Sequence, residues 1–174
     1  MSGARVLSAA AITVAAALST SACAHADPEP LPSGPSETAA PQSNSSCTET
    51  LTGALTPADP GHVGNNRLLL QCEDGTWQAF RDPYPSADRW LTTGPELILH
   101  GQGRRNPEAR GGTWTATPLT AEARCSAEVV DVQGAGKTSE PETFSADPGR
   151  TLTFQISDHM FTTKLSGYCL WERG

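Results

Sequence analysis

The stretch Thr151–Trp171 reads TLTFQISDHMFTTKLSGYCLW. Leu152, Phe154 and Ile156 alternate with Thr151, Thr153, Gln155 and Ser157. Side chains of an extended chain point alternately to opposite faces, so this spacing predicts a half-buried β-strand. After Ser157-Asp158-His159 the alternation resumes with Phe161, Thr163 and Leu165, then Cys169 and Trp171. The two runs read as a β-hairpin with a four- or five-residue loop. Gly167 marks a bulge or a close backbone approach in the second strand. A strand carrying a cysteine and a tryptophan on one face is expected at the centre of a sheet.

Outward from this stretch, β signals recur every ten to fifteen residues. In RLLLQCEDGTWQAF (Arg67–Phe80), two β-type runs flank Glu73-Asp74-Gly75, and Asp-Gly suits a tight turn that needs positive φ. Glu96–His100 carries Leu97, Ile98 and Leu99 in a row, which suggests a strand covered on both faces. Thr113–Thr117 sets Trp114 and Ala116 between threonines, and Arg124–Val132 sets Cys125, Ala127 and Val129 on one face. Gly134-Ala135-Gly136 and Asp147-Pro148-Gly149 read as turns, with a short run at Phe144 between them. Cys47–Leu55 reads as an early strand and Thr56–His62 as a loop. Ser86 is read as the cap of one helical turn carrying Trp90 and Leu91, ended by Gly94-Pro95. No amphipathic helix of ten residues is found. The pattern predicts an all-β domain, an antiparallel β-sandwich or open barrel.

The chain has 174 residues and a formal net charge of −7. Met1–Arg5 carries one positive side chain, and Val6–Leu18 is apolar except for Ser8 and Thr13. Thirteen residues at about 1.5 Å each cannot cross a hydrocarbon core of about 30 Å, so residues 1–26 read as a secretory signal peptide rather than a membrane anchor. Ala24-His25-Ala26 fits cleavage before Asp27. Ser21-Ala22-Cys23 resembles the end of a lipobox but has Thr20 where leucine is usual, so a lipid-anchored form at Cys23 is the alternative. Residues 27–46 hold five prolines and five serines and read as a disordered linker, leaving residues 47–174 as the β domain. Losing Arg5 with the leader makes the chain more acidic still. That charge argues against nucleic acid or anionic membrane as partners. The expected partner is an unknown envelope or extracellular one, and the expected state a monomer.

Beyond Cys23, the four cysteines are Cys47, Cys72, Cys125 and Cys169. An even set in an exported chain implies disulfides. Three pairings are open. Cys47–Cys72 and Cys125–Cys169 are the expected ones, each joining an early strand to a later one and each contributing roughly 3–4 kcal/mol by closing its loop. No C-x-x-C pair occurs, so no zinc site is expected. No nucleophile elbow, zincin, phosphate-loop or calcium-loop motif is present, and no catalytic residue or cofactor is expected. His62, His100 and His159 read as loop histidines. Trp77, Trp114 and Trp171 read as core, and Trp90 as the tryptophan best placed for the surface. One stretch stands out: HGQGRRNPEARGG (His100–Gly112) crowds Arg104, Arg105 and Arg110 into an acidic protein. Guanidinium forks suit carboxylate or phosphate, so these arginines with His100 form a candidate anion site. The plainer reading is a solvated loop, or arginines paired with the domain's own Asp and Glu.

The runs DPYPSADRWL (82–91), LILHGQGRRNPE (97–108), GGTWTATP (111–118) and LSGYCLWE (165–172) resemble a group of small exported actinobacterial proteins, mycobacterial ones among them. The resemblance spans roughly Cys47–Glu172 and includes a similar AHADP leader ending. It implies an envelope or extracellular location and a small disulfide-stapled domain, and it carries no activity. The function expected is therefore a secreted or envelope-associated binding module. The alternative is an enzyme on an envelope glycan, which would need two carboxylates roughly 5–10 Å apart, drawn from Asp74, Asp82, Asp88 and Glu96. N-terminal sequencing of the exported protein is predicted to begin at Asp27. An acylated peptide starting at Cys23 in the membrane fraction would reverse that reading.

Overall fold

A computed structural model describes residues 39–60 and 67–174. The leader with Cys23, the linker up to residue 38, and His62 lie outside the described residues. In chain order the elements are a 3-10 turn Glu49–Leu51, then β1 (Leu55–Pro57), β2 (Leu69–Glu73), β3 (Thr76–Phe80), β4 (Arg89–His100), β5 (Gly112–Pro118), β6 (Ser126–Gly134), β7 (Lys137–Thr138), β8 (Glu142–Ser145), β9 (Leu152–Ile156) and β10 (Met160–Arg173). The all-β expectation holds. The sheet follows the path β3-β2-β1-β4-β10-β5-β9, with β6 also pairing β10 and carrying β7 and β8. All pairings are antiparallel except a single parallel register, Leu55 beside Trp90, so the sheet is mixed and open. Among the described residues no helix is long and apolar enough to cross a membrane.

β10 is central, as its sequence predicts, but it does not form a hairpin with β9. β5 lies between them: Trp114 pairs with Phe154 on one side and with Arg173 on the other. Ser157–His159 passes over the start of β5 instead. Gly111 permits this, because a Cβ there would overlap the Asp158 side chain and lie 2.9 Å from its amide nitrogen. β10 keeps β4 as its neighbour from Thr162 to Glu172. On its other edge it pairs with β6 up to Ser166 and with β5 from Cys169 onward. The change of partner falls at Gly167, which faces Gly94 of β4 across a register shift. Their φ angles are +97° and +136°. Bends of this kind let one strand pass between two layers. One layer holds β3, β2, β1, the first half of β4, the second half of β10, β5 and β9. The other holds the remaining halves of β4 and β10 with β6, β7 and β8.

The main core lies between the layers. Trp90, Trp114 and Trp171 are completely buried there with Leu97, Leu99 and Leu165. Each large aromatic buries about 150–250 Å², which at about 25 cal/mol per Å² is at most roughly 4–6 kcal/mol. Their indole N–H groups are satisfied: Trp90 donates to Ala87 O (3.1 Å), Trp114 to Arg110 O (2.9 Å) and Trp171 to Thr92 Oγ1 (2.9 Å). A smaller core covers the outer face of the first layer, with Leu51, Ala54, Leu70, Trp77, Leu91 and Leu170. Both faces of the sheet centre are thus covered, which explains neighbouring apolar pairs such as Trp90–Leu91 and Leu170–Trp171. Arg89 holds the segment that covers this face by donating to the carbonyls of Thr50 (2.8 Å) and Thr52.

Both expected disulfides are present. Cys47–Cys72 and Cys125–Cys169 each have a Cα–Cα distance of 6.0 Å. The first ties the covering segment to β2. The second crosses the point where β10 changes partner. Disulfides form and persist in oxidising compartments, and two of them point to such an environment.

Several sequence expectations are corrected. Residues 47–54 hold a 3-10 turn rather than a strand, while Thr56 and Pro57 belong to β1 rather than to a loop. Asn44 and Ser45, read as the end of the linker, lie along β3: Asn44 donates to Trp77 O (2.7 Å) and Trp77 donates to Ser45 O (2.9 Å). No helical turn follows Ser86. Arg89–His100 is one strand that continues through Gly94-Pro95, where the bend removes the need for a proline N–H. Trp90 is core, not surface. Ile98 is only partly covered. Phe161 is exposed because a second register shift, between Met160 and Thr162, turns Met160 inward in its place.

The bend predicts an asymmetry between glycines. At Gly167 an added Cβ would overlap the Arg124 carbonyl and sit 3.1 Å from Cys169 Sγ, whereas at Gly136 (φ +72°) nothing lies within 4 Å. Gly167→Ala should destabilise by at least about 3 kcal/mol, through backbone strain and overlap together, and Gly136→Ala by about 1 kcal/mol. Urea denaturation of the oxidised proteins measures both. Equal costs would mean that the bend does not require glycine.

Candidate functional site

The end of β4 feeds the arginine-rich segment, and Glu108 fixes that segment at its base. The Glu108 amide donates to His100 O (2.8 Å), and its carboxylate Oε2 accepts from the His100 amide (2.7 Å) and lies 3.0 Å from His100 Nδ1. Oε1 accepts from Arg67 Nη2 at 2.7 Å, and Arg67 Nη1 donates to Ile98 O at 2.7 Å. The Arg67 side chain is only 9 % exposed and lies over the Trp90 ring, 5.7 Å from its centroid. Burial pulls this guanidinium below its ordinary value, Glu108 opposes that shift, and Arg104 adds to it. A buried charge of this kind depends on its partner. Residues 101–107 are therefore carried on a neutralised pair set against the core. Downstream, buried Ala109 and the Trp114 bond to Arg110 O fix the return of the loop.

Beside the loop lies a cleft of about 340 Å³, lined by Arg67, Arg104, Arg105 and His100 on one side and by Phe80 and the Pro83-Tyr84-Pro85 segment on another. Arg105 lies over the Tyr84 ring, 4.8 Å from its centroid. Asp82 Oδ1 accepts the Tyr84 amide at 2.8 Å and shapes that turn. If neutral His100 donates from Nδ1 to Glu108, its lone pair is on Nε2.

The cleft gathers Arg104, Arg105 and His100. Arg110 does not line it. Arg110 and Arg173 both grip Asp88: Arg173 Nε is 2.7 Å from Oδ1 and Arg110 Nε 3.2 Å from it, with a further close contact from Arg110 Nη2 to Oδ2. The Arg173 bonds, with help from Arg110, hold the Asp88 carboxyl below its usual range. A second hollow, about 540 Å³, contains Arg104, Arg110, Arg173 and Asp158. Of the four carboxylates named from sequence, Asp82 and Glu96 line the first cleft, Asp88 serves the arginine clamp and Asp74 forms the β2–β3 turn. His159 is exposed, with Nδ1 3.4 Å from Gln102 Nε2. Among the described residues no group of three or more His, Cys, Asp or Glu is placed to hold a metal ion.

Sequence reasoning missed Arg67, Glu108 and Tyr84. The available signals were an arginine directly before the apolar run Leu68–Leu70, the one carboxylate inside the basic loop, and a tyrosine held between prolines. Compared with protein families, characterised proteins and solved structures, the chain finds no match.

The buried pair should govern stability, and the exposed arginine should not. Glu108→Ala strands Arg67 and should cost about 3–5 kcal/mol. Arg105→Ala loses an exposed cation–π contact and should cost less than about 1 kcal/mol. Replacing both buried partners (Arg67→Met with Glu108→Leu) should recover much of the loss. Equal stability of the two single variants in urea denaturation would remove Glu108 as the loop's support.

Proposed function

We propose that the protein is an exported, disulfide-stapled binding module that takes a small anionic ligand in the cleft beside residues 101–108. The observation that carries this reading is the seating of Arg105 over Tyr84 at the cleft, on a loop whose base is fixed by Arg67, Glu108 and His100. Exposed binding groups on a rigid support lose little freedom when a ligand arrives. Location outside the cytoplasm is supported by the two disulfides and by the sequence of the leader, and its resident form is the secreted one rather than one anchored through Cys23. Its partner is an envelope or extracellular molecule, and the acidic chain disfavours nucleic acid.

A second reading, hydrolysis of an envelope glycan, draws on the oriented His100–Glu108 pair, an arrangement suited to a general base. Release of reducing ends from cell-wall glycan by the wild type, and not by His100→Gln, would make that the better reading.

The binding reading predicts anion-dependent stability. At matched ionic strength, acetate, sulfate or phosphate at about ten times its dissociation constant should add about 1.4 kcal/mol and raise Tm by roughly 5 °C over chloride. Arg105→Ala should fold normally and lose most of that gain. A wild type indifferent to all three anions would sink the proposal.

A further inference from the structure

Resting on the reading of the cleft as an anion site, we infer that its ligand is an acidic sugar, a pyranose ring bearing a single carboxylate. Charge balance is the first reason. Three guanidinium groups, Arg67, Arg104 and Arg105, share the cleft lining with three carboxylates, Asp82, Glu96 and Glu108. Glu108 is engaged by Arg67 and His100. A ligand with two or three negative charges would bring them against Asp82 and Glu96, which repel each added charge. Three against three leaves the lining near neutral, so it accepts one negative charge more readily than two or three.

The second reason is the acceptors. An ionised carboxylate only accepts hydrogen bonds, at about four lone-pair sites. The Tyr84 amide uses one such site of Asp82, and the Glu96 contact to Lys164 Nζ is loose at 3.6 Å. Carboxylates in a cleft call for donors from the ligand, and neutral hydroxyl groups supply donors without adding charge. A plain carboxylate supplies none, and a phosphate supplies a P–OH donor only together with more than one negative charge near neutral pH.

The third reason is the division of the walls. Phe80, Pro83 and Pro85 offer a C–H-rich surface to the face of a ring, while Tyr84 is 44 % exposed and orients Arg105. A guanidinium resting over an aromatic ring spends none of its five N–H donors on that contact. Its fork remains suited to the planar, bidentate carboxylate. The carboxylate then sits at Arg105, the ring lies along Phe80 and the prolines, and the hydroxyls donate to Asp82 and Glu96. A volume of about 340 Å³ is at the small end of ligand sites, the scale of one or two sugar rings.

The test is a titration of the full, oxidised protein by heteronuclear NMR with methyl β-D-glucuronide, methyl β-D-glucoside, acetate and inorganic phosphate. The glucuronide should bind at least about tenfold more tightly than each of the other three, with shifts centred on Tyr84 and Asn106. Arg105→Ala should reduce glucuronide binding to the level of the glucoside, with Arg105→Lys intermediate because it keeps charge without the fork. Asp82→Asn should weaken the glucoside several-fold and leave acetate no weaker, since it removes an acceptor and a repelling charge together. Acetate equal to glucuronide would indicate a carboxylate without a sugar, such as a peptide terminus, and would overturn the inference. So would phosphate binding more tightly, glucoside binding equally, or shifts centred on the hollow at Arg110 and Arg173. In those cases anion-dependent stability still upholds the binding module, whereas indifference to every anion removes both.

Discussion

Two strands of twelve and fourteen residues run side by side for nearly their whole length, and they fit the domain only because they bend together where Gly94 faces Gly167. No side chain can occupy the Gly167 position, since the Arg124 carbonyl already fills the space. The rest follows from that bend. It allows β10 to exchange β6 for β5 as its neighbour, it brings Cys169 to Cys125, and it folds the ribbon so that Trp90 and Trp171 on one limb share a core with Leu99 and Leu165 on the other. The end of β4 then leaves the core at His100, which places the arginine loop beside the cleft. The loop owes its position to the ribbon and its shape to electrostatics. Arg67 lies on Trp90, Glu108 neutralises it, and the same carboxylate closes the loop on His100.

Arg104 and Arg105 are exposed, while Arg67 and Glu108, which hold the base of the loop, are largely buried. Arg110, adjacent in sequence, does something else. It shares Asp88 with Arg173 and ties the loop's return to the last strand. Exposed ion pairs of this kind add little stability, typically no more than about 1 kcal/mol, but they fix direction. Three arginines within seven residues thus divide between lining the cleft and tying the loop to Asp88.

Much of the architecture was legible from local pattern. The Asp74-Gly75 hairpin and the alternation of β5 and β6 could be read from turn chemistry and period, since each is settled by neighbouring residues, while the central position of β10 and the two disulfides were expected from composition and cysteine count, with three pairings open. The failures have a common cause in long-range geometry. β9 and β10 look like a hairpin because three residues join them, yet β5 pairs between them from forty residues earlier, which no local pattern records. Trp90 looked exposed because it follows prolines, and Gly94-Pro95 looked like a stop because sequence alone does not reveal a bend shared with a strand some seventy residues away. In the site, the basic loop was visible as a charge anomaly. Its partners were not, because Arg67 and Tyr84 reach it only through the fold.

The place of β10 in the chain has a consequence for biogenesis. Every strand that pairs with it precedes it, and bonds such as Trp171 Nε1 to Thr92 Oγ1 span 79 residues. Neither layer can close while the chain emerges from its N-terminus, because each lacks its middle strand until β10 appears. Pairing over such separations is slow, since loop entropy is lost before contacts form. A polypeptide that cannot fold early stays extended and open for longer. Until β10 pairs, the edges of β4, β5 and β6 lie open to other chains.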